Sequence, residues 1–378
     1  MTIESNEQRE RRRIVWLCPE RTYYHEYFFE VMLEAIGGNG LTVYYQRCSP
    51  GHHPWRTRLG PRPWARESRF APSAAARFVA ALCTSPDSSF VIGGWGSAGS
   101  VLSLVVASIL RRKFAVTSDT PDEAKPRGWL RRRLRATLLN MLFRRAGLIA
   151  ATGRPGCEAF ARMGAPTTKL FNLPFCVDLH YFRPRTPAEE GSRPGGPIVF
   201  GSAGRLVDNK GYDVAIRALA GVRASGVFGE RGFRYRIAGV GPARGKLAGL
   251  ACELGLQDAI EFVGWLEYSD LPSFYHSVDV FLHPATWDPY PVVVLEAMAS
   301  GLPVIGSDGA GSVVDRIQDG VNGLVFPRGD PSALARKILW LVDHWELVRD
   351  MGRLARRTAE EWSAERICKE MLSVLTSF

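Results

Sequence analysis

Two cations, Arg205 and Lys210, frame the turn GRLVDNKG at residues 204–211, directly after an apolar run at 198–202. Asp208-Asn209 favours a turn between them, so both cations can face one anion at a strand-to-helix junction, and a diphosphate fits that arrangement. The same composition also suits a solvated turn that carries two cations and binds nothing. A second run, TWDPYPVVVLEAMASG at 286–301, ends one strand and opens a helix. Pro291 belongs in a first helical turn, where its missing N–H has no intrahelical partner, and Gly301 reads as the stop. The free amides at Val292 to Val294, at the positive end of the helix dipole, make an anion site facing the same cleft as Arg205 and Lys210. Glu296, about one turn further in, is placed to accept hydrogen bonds from two ribose hydroxyls, as acidic residues do in other nucleotide folds. A lone helix glutamate is more often exposed, but Val294, Leu295, Ala297 and Met298 imply a buried helix, where a carboxylate needs partners. Val263-Gly264-Trp265 ends another strand, and its glycine permits backbone to approach a nucleotide base; a simple tight turn explains it equally well.

Positioning these groups calls for alternating strands and helices. In the second half, strands are expected at 198–202, 235–238, 260–263, 278–282 and 304–306. Helices are expected between them at 214–220, 243–254, 271–276 and 292–300, with a final helical region from 331. That order implies a parallel sheet covered on both faces, with ligands beyond the carboxyl ends of its strands. The first half begins in the same way, with a strand at 14–17, a helix at 27–36 stopped by Gly37-Gly38, strands at 41–45, 90–92 and 114–117, and a helix at 101–110. Residues 52–69, rich in Pro and Arg, read as a surface loop. Residues 183–197, with four prolines and three glycines, read as a linker. The expected division is therefore a first domain at 1–184, a second at 185–359, and a tail helix at about 360–378 that returns to the first, with suitable apolar spacing from Trp362 to Leu375.

A length of 378 residues fits two cores better than one. No stretch approaches the roughly 20 apolar residues of a membrane span, and the basic N-terminus lacks the apolar run of a signal peptide. Seven cysteines without a CxxC pair read as reduced core thiols of a cytoplasmic protein. A net charge of +10 favours anionic partners: phosphates, lipid headgroups or nucleic acid. Nucleic acid is disfavoured because no zinc-finger spacing or RNP-like aromatic motif appears, and no DxD pair or His/Cys cluster points to a metal. Residues 125–145 join arginines to Trp129, Leu130, Leu134, Leu138 and Leu142. They read either as an interfacial helix on anionic lipid or as a domain helix burying its leucines beneath solvated arginines.

At the residues that could do chemistry, the chain resembles family 4 of the retaining glycosyltransferases. The resemblance is carried by GRLVDNKG, IAGVGP, FVGW, the Asp288-to-Glu296 pair, LEAMASGLPVI and DGVNGLVF across 198–356, and in the first half mainly by NLPFCVDLHYFRP. It implies an α/β chain with two Rossmann-like domains facing a central cleft, the glycosyltransferase-B fold, the first domain binding acceptor and the second binding donor. It further implies a metal-independent, cofactor-free hexosyltransferase of polysaccharide biosynthesis, acting from a nucleotide-diphosphate sugar onto a glycan or lipid-linked glycan. Such an enzyme is expected in the cytoplasm, peripheral at the inner face of the cell membrane. The donor-binding set so implied is Gly204, Arg205, Lys210, Gly264, Trp265, Val292, Val293, Leu295 and Glu296, and the catalytic set is Arg205, Lys210, Asp288 and Asp119.

The sequence departs from the family pattern in several places. Asp288 and Asp315 stand where glutamates are usual. The first strand is followed by CPERTYYHEYF, without the usual glycine-rich loop, and Gly93-Gly94-Trp95-Gly96-Ser97 is the substitute glycine cluster. Asp119 occupies the place of a histidine that many members set near the transferred sugar, and His25 and His283 are further candidates facing the cleft. The rival readings are a sugar-nucleotide epimerase of the same architecture, which needs no acceptor, and a basic nucleic-acid-binding protein.

Overall fold

The computed structural model describes residues 13–38, 40–47, 62–67, 71–121, 128–186 and 196–375. It divides into a first domain, Met1–Cys176 with Ala364–Phe378, and a second, Val177–Ser363.

The first domain alternates β1 (Ile14–Glu20), α1 (Tyr23–Ile36), β2 (Leu41–Arg47), β3 (Ala65–Glu67), α2 (Ala71–Thr84), β4 (Ser89–Gly93) and α3 (Ala98–Ile109). It continues through β5 (Phe114–Ser118), α4 (Trp129–Arg145), β6 (Leu148–Ala151), α5 (Gly153–Arg162) and β7 (Leu170–Asn172). The seven strands form one sheet in the order β3-β2-β1-β4-β5-β6-β7, and every pairing is parallel. Leu17, Phe78, Phe90, Ile92, Phe143 and Phe160 fill its core. Helix α1 starts earlier than the apolar spacing indicates, because the Thr22 hydroxyl accepts the His25 amide hydrogen at 3.3 Å as an N-cap. Its buried Glu26 is paired with Arg21 at 2.9 Å and accepts from Tyr45 Oη at 2.8 Å, so the charge is compensated inside the domain. The tail helix α13 (Ala364–Leu375) packs on α1 with Ile367, Cys368, Met371 and Leu375 buried.

The second domain repeats the plan with β8 (Ile198–Ala203), α6 (Tyr212–Ala224), β9 (Phe233–Ala238), α7 (Arg244–Glu253), β10 (Ile260–Gly264) and α8 (Leu271–His276). There follow β11 (Val280–His283), α9 (Val292–Ala299), β12 (Val304–Ser307), α10 (Gly311–Arg316), β13 (Gly323–Phe326), α11 (Pro331–Asp343) and α12 (Val348–Glu361). The six strands are ordered β10-β9-β8-β11-β12-β13, again all parallel. Phe200, Tyr235, Ile237, Leu282, Leu334 and Ile338 lie in its core. In each sheet the chain moves outward in one direction from the first strand and in the other from the fourth. A crevice therefore opens beyond the carboxyl ends of that central pair.

Several expectations need correction. Residues 52–69 are not wholly loop: Trp64 is buried and residues 65–67 form the edge strand β3, while 48–61 and 68–70 lie outside the described residues. The basic segment forms α4, which commits Leu139, Leu142 and Phe143 to the domain core and leaves Trp129 at its start exposed. Lys125 to Arg127 and the side chains of Leu130 and Leu134 lie outside the described residues. The cysteines are not all core thiols either: Cys18, Cys176 and Cys368 are buried, whereas Cys83 and Cys252 are exposed, and Cys48 lies outside the described residues. Among the described residues no helix is long and apolar enough to cross a membrane.

Two helical glycines should respond oppositely to alanine. A Cβ at Gly221, inside α6, meets nothing within 4 Å, whereas one at Gly352, inside α12, would press into the Gly301 carbonyl oxygen. Gly221→Ala is expected to stabilise the fold by up to about 1 kcal/mol through helix propensity. Gly352→Ala is expected to destabilise it, as urea melts of both variants would reveal.

Candidate functional site

The site grows from the carboxyl ends of β8 and β11, the central pair of the second sheet. The turn after β8 closes as one 3-10 turn, Asp208–Lys210, and then passes through Gly211 at φ 66° into α6. That left-handed backbone favours glycine, and a Cβ at this position would also collide with the Pro284 carbonyl oxygen. The two strand-end loops can therefore touch backbone to backbone. Asn209 stitches them: its carbonyl accepts the Thr286 amide at 2.9 Å, and its Nδ2 donates to the Trp287 carbonyl at 2.9 Å.

This seam sets Lys210 Nζ in an ion pair with Asp288 Oδ2. His283, the last residue of β11, puts Nε2 3.2 Å from the same oxygen, but at an angle that leaves that buried nitrogen without a hydrogen-bond partner. Burial works to raise the Asp288 pKa, yet contact with His283 and the charge of Lys210 outweigh it and hold the carboxyl below its ordinary value. Burial pulls His283 down despite Asp288 beside it, so its ring is neutral at pH 7. At neutral pH the cluster is thus a carboxylate, an ammonium and a neutral imidazole. Half-buried Arg205 sits at the start of the same turn, and its guanidinium makes no ion pair or hydrogen bond with another described residue.

Helix α9 begins behind Pro291 with no side-chain cap, which leaves the first-turn amides from Val292 unpaired within the helix. Leu295 is 7% exposed, and its amide is the first in the helix with an intrahelical carbonyl to meet. Glu296 is 5% exposed and accepts from Tyr275 Oη at 2.6 Å. Burial raises its carboxyl from 4.5 to about 7, against the lowering effect of that hydrogen bond. Tyr212 feels the charge of Asp288, and Tyr275 feels both Glu296 and Tyr212, so the Glu296 and Asp288 groups are neighbours in one electrostatic environment.

Other expected residues lie on other elements. Gly264, at φ 84°, closes β10 at the sheet edge, and Trp265 Nε1 donates to Glu267 at 3.2 Å. Asp315 is buried in α10, accepts from Tyr290 Oη at 2.7 Å and lies 3.5 Å from Arg316, which gives it structural partners. Asp119 belongs to the first domain, where it is exposed beyond β5 and accepts from Thr152 Oγ1 at 3.0 Å. His25 is also there, with Nδ1 3.1 Å from the Glu20 carbonyl, a contact that orients the ring locally. Tyr275, Tyr212 and Asn209 were missed by sequence reading, because their partners lie far away along the chain. Among the described residues no group of three or more His, Cys, Asp or Glu is arranged to hold a metal.

Comparison with known proteins places this geometry. Residues 185–358 match the family model for glycosyl transferases group 1. WcaL of Salmonella typhimurium, provisionally named a colanic acid biosynthesis glycosyltransferase, is 30% identical over 242 residues, 62% of this chain and 57% of that protein. LpsE of Rhizobium meliloti, a lipopolysaccharide core biosynthesis glycosyltransferase, is 34% identical over 196 residues, 51% of this chain and 52% of that protein. The chain thus spans little more than half the length of these relatives. Anabaena HepE, solved in complex with UDP, has the same fold with a TM-score of 0.76 at 18% identity, over 97% of this chain and 100% of that one. The chain carries two Rossmann-like domains with the glycosyltransferase-B fold of such structures, and its residues 185–358 are similar to the glycosyl transferases group 1 family.

Proposed function

We propose that the chain is a retaining glycosyltransferase of polysaccharide biosynthesis that moves a hexose from a nucleotide-diphosphate sugar to a glycan or lipid-linked glycan, without a metal. The observation that carries this reading is the cluster at the β8/β11 switch point. There a guanidinium without a partner among the described residues, an ammonium held by a carboxylate, and an uncapped helix N-terminus belong to adjoining strand-end loops. Anabaena HepE has been solved with UDP-glucose, which makes a UDP-hexose the first donor to try.

In this mechanism the bond between sugar C1 and the β-phosphate oxygen breaks, and negative charge builds on the departing diphosphate. Arg205, Lys210 and the first-turn amides of α9 receive that charge with fixed positive potential. Lys210 is neutralised by Asp288 before donor arrives. A diphosphate competes for it and releases the carboxylate to accept hydrogen bonds from sugar hydroxyls. The acceptor oxygen bonds to C1 on the face that the diphosphate leaves, and its proton passes to the departing phosphate. Glu296, held by Tyr275, receives the ribose hydroxyls. An epimerase would return an isomerised nucleotide sugar with no acceptor, and product analysis separates the two.

A second reading concerns location. On α4 of the first domain Trp129 is 71% and Met141 43% exposed, and Ile109 on α3 is 74% exposed. Exposed Arg133, Arg144 and Arg145 lie on α4 with the first two. Apolar anchors among cations suit an anionic membrane surface.

Lys210→Ala should lower the rate of transfer by about 100- to 1,000-fold, the usual cost of one lost electrostatic donor, while a cooperative melt shows that the protein still folds. Near wild-type turnover would remove the clamp. Stability should also report on Glu296. Its carboxyl keeps its proton in the fold up to about 7, while in the unfolded chain it ionises near 4.5. The unfolded state therefore binds fewer protons in that window, and stability falls as pH rises through it. Glu296→Gln should flatten this decline in urea melts at pH 5 and 7.5; an unchanged slope would mean the carboxyl is ordinary. For the membrane reading, pelleting with anionic vesicles at low salt should weaken in Trp129→Ala, and a failure of the unaltered chain to pellet would end it.

A further inference from the structure

The amino-terminal edge of the second sheet, opposite the switch-point cluster, holds a cavity of about 450 Å³, a size typical of small-ligand sites. Asp279 and Pro303, which immediately precede β11 and β12, form its floor, and its walls come from α12 and from the segment that follows α9. Five arginines line it, Arg185, Arg231, Arg349, Arg353 and Arg356, against two aspartates, Asp279 and Asp350.

Part of that charge is paired within the domain. Asp279 is already engaged, because its Oδ2 accepts the Val199 amide hydrogen at 2.9 Å and Arg185 lies 3.5 Å from its Oδ1. Arg356 is anchored on both sides: its Nη1 donates to the Leu179, Phe182 and Ala299 carbonyls at 2.8–3.0 Å, and its Nε pairs with exposed Glu360 at 2.7 Å. The Ala299 contact also sets a cation at the carboxyl end of α9, which offsets the helix dipole's negative pole. Arg231 lies over the Trp345 ring at 4.9 Å, an interaction that fixes the guanidinium without neutralising it. Arg353 is paired with Asp350 only at the exposed surface, where such a pair contributes little and can open.

A second observation points to a ligand. Ser300 lines the same cavity, is 4% exposed, and its hydroxyl has no hydrogen-bond partner. A buried hydroxyl left unpaired is costly, and an oxygen acceptor in the cavity would satisfy it. The wall is rigid, since α12 packs on α9 and Gly352 sits directly against the Gly301 carbonyl. The cavity is therefore formed before anything enters it.

From these features we infer that the cavity is a second anion site of the donor domain, built for a phosphate-class ligand. Several guanidinium forks match phosphoryl oxygens in geometry, and a lining of five arginines against two aspartates suits a ligand with more than the single charge of a carboxylate. The site shares no residue with the Lys210 cluster, so it does not depend on the reading of that cluster.

The test uses the full chain. Inorganic pyrophosphate is titrated calorimetrically into Lys210→Ala, which disables the switch-point cluster, and into the same protein carrying Arg349→Ala and Arg353→Ala as well. Binding in the first and about tenfold or greater weakening in the second is expected, from lost charge-assisted hydrogen bonds. No binding in Lys210→Ala, or equal binding in both, overturns the proposal. UDP binding by the double arginine variant alone should equal that of the unaltered chain; a loss there would assign these arginines to the donor site and overturn the separation. Phosphatidate vesicles distinguish the source. Pelleting that disappears with the two substitutions identifies a lipid headgroup, and pyrophosphate binding without pelleting identifies a soluble phosphate compound.

Discussion

A carboxylate buried at the end of a strand stays ionised only where cations and donors meet it, and in the second domain Asp288 imposes that requirement on everything around it. Lys210 comes to it from the turn after β8 and His283 from the end of β11. For both to arrive, the two loops must lie backbone against backbone, which Gly211 permits and Asn209 fastens. The loop after β12 joins the same seam, since the Gly309 carbonyl accepts the Asp288 amide hydrogen at 3.0 Å and Gly311 donates to the Asp288 carbonyl at 2.9 Å. Three strand ends are thus locked around one charge. Parallel topology makes this possible, because it delivers all of these loops to the same edge of the sheet.

Glu296 solves the same problem differently. Among the described residues it has one hydrogen-bond donor, Tyr275, and no ion pair, so burial prevails and its pKa rises to about 7. Two acidic residues on neighbouring segments are therefore tuned in opposite directions, one fixed as an anion and one able to carry a proton near neutrality. Separated protonation behaviour of this kind is what distinct roles in a site require.

The second domain was largely legible from its sequence. Its central strands β8, β11 and β12 are mostly apolar runs, as expected of a parallel sheet buried on both faces, and runs such as 198–202 and 304–306 fall inside β8 and β12, whereas β9 and β10 toward one edge carry Arg234, Arg236 and Glu261. The first domain was harder to read. Helix α5, GRPGCEAFAR, contains two glycines and a proline that mimic a loop, and β6 is only four residues long, two of them alanines. Neither has the length or periodicity that sequence patterns need. At the site, residue types and loop positions were visible, but pairings were not. Nothing local to Lys210 announces Asp288, and nothing near Glu296 names Tyr275, because both partnerships are made by the sheet order. Gly239 and Gly309 sit against backbone of the adjoining loops, contacts that no local pattern announces.

The central claim is that the β8/β11 switch point is the seat of a nucleotide diphosphate. A crystal structure of the chain soaked with UDP addresses it most directly. The account predicts diphosphate oxygens within hydrogen-bond distance of Lys210 Nζ and the first-turn amides of α9, with the Lys210–Asp288 pair opened and the ribose on Glu296. UDP bound elsewhere, with that ion pair still closed, would contradict it.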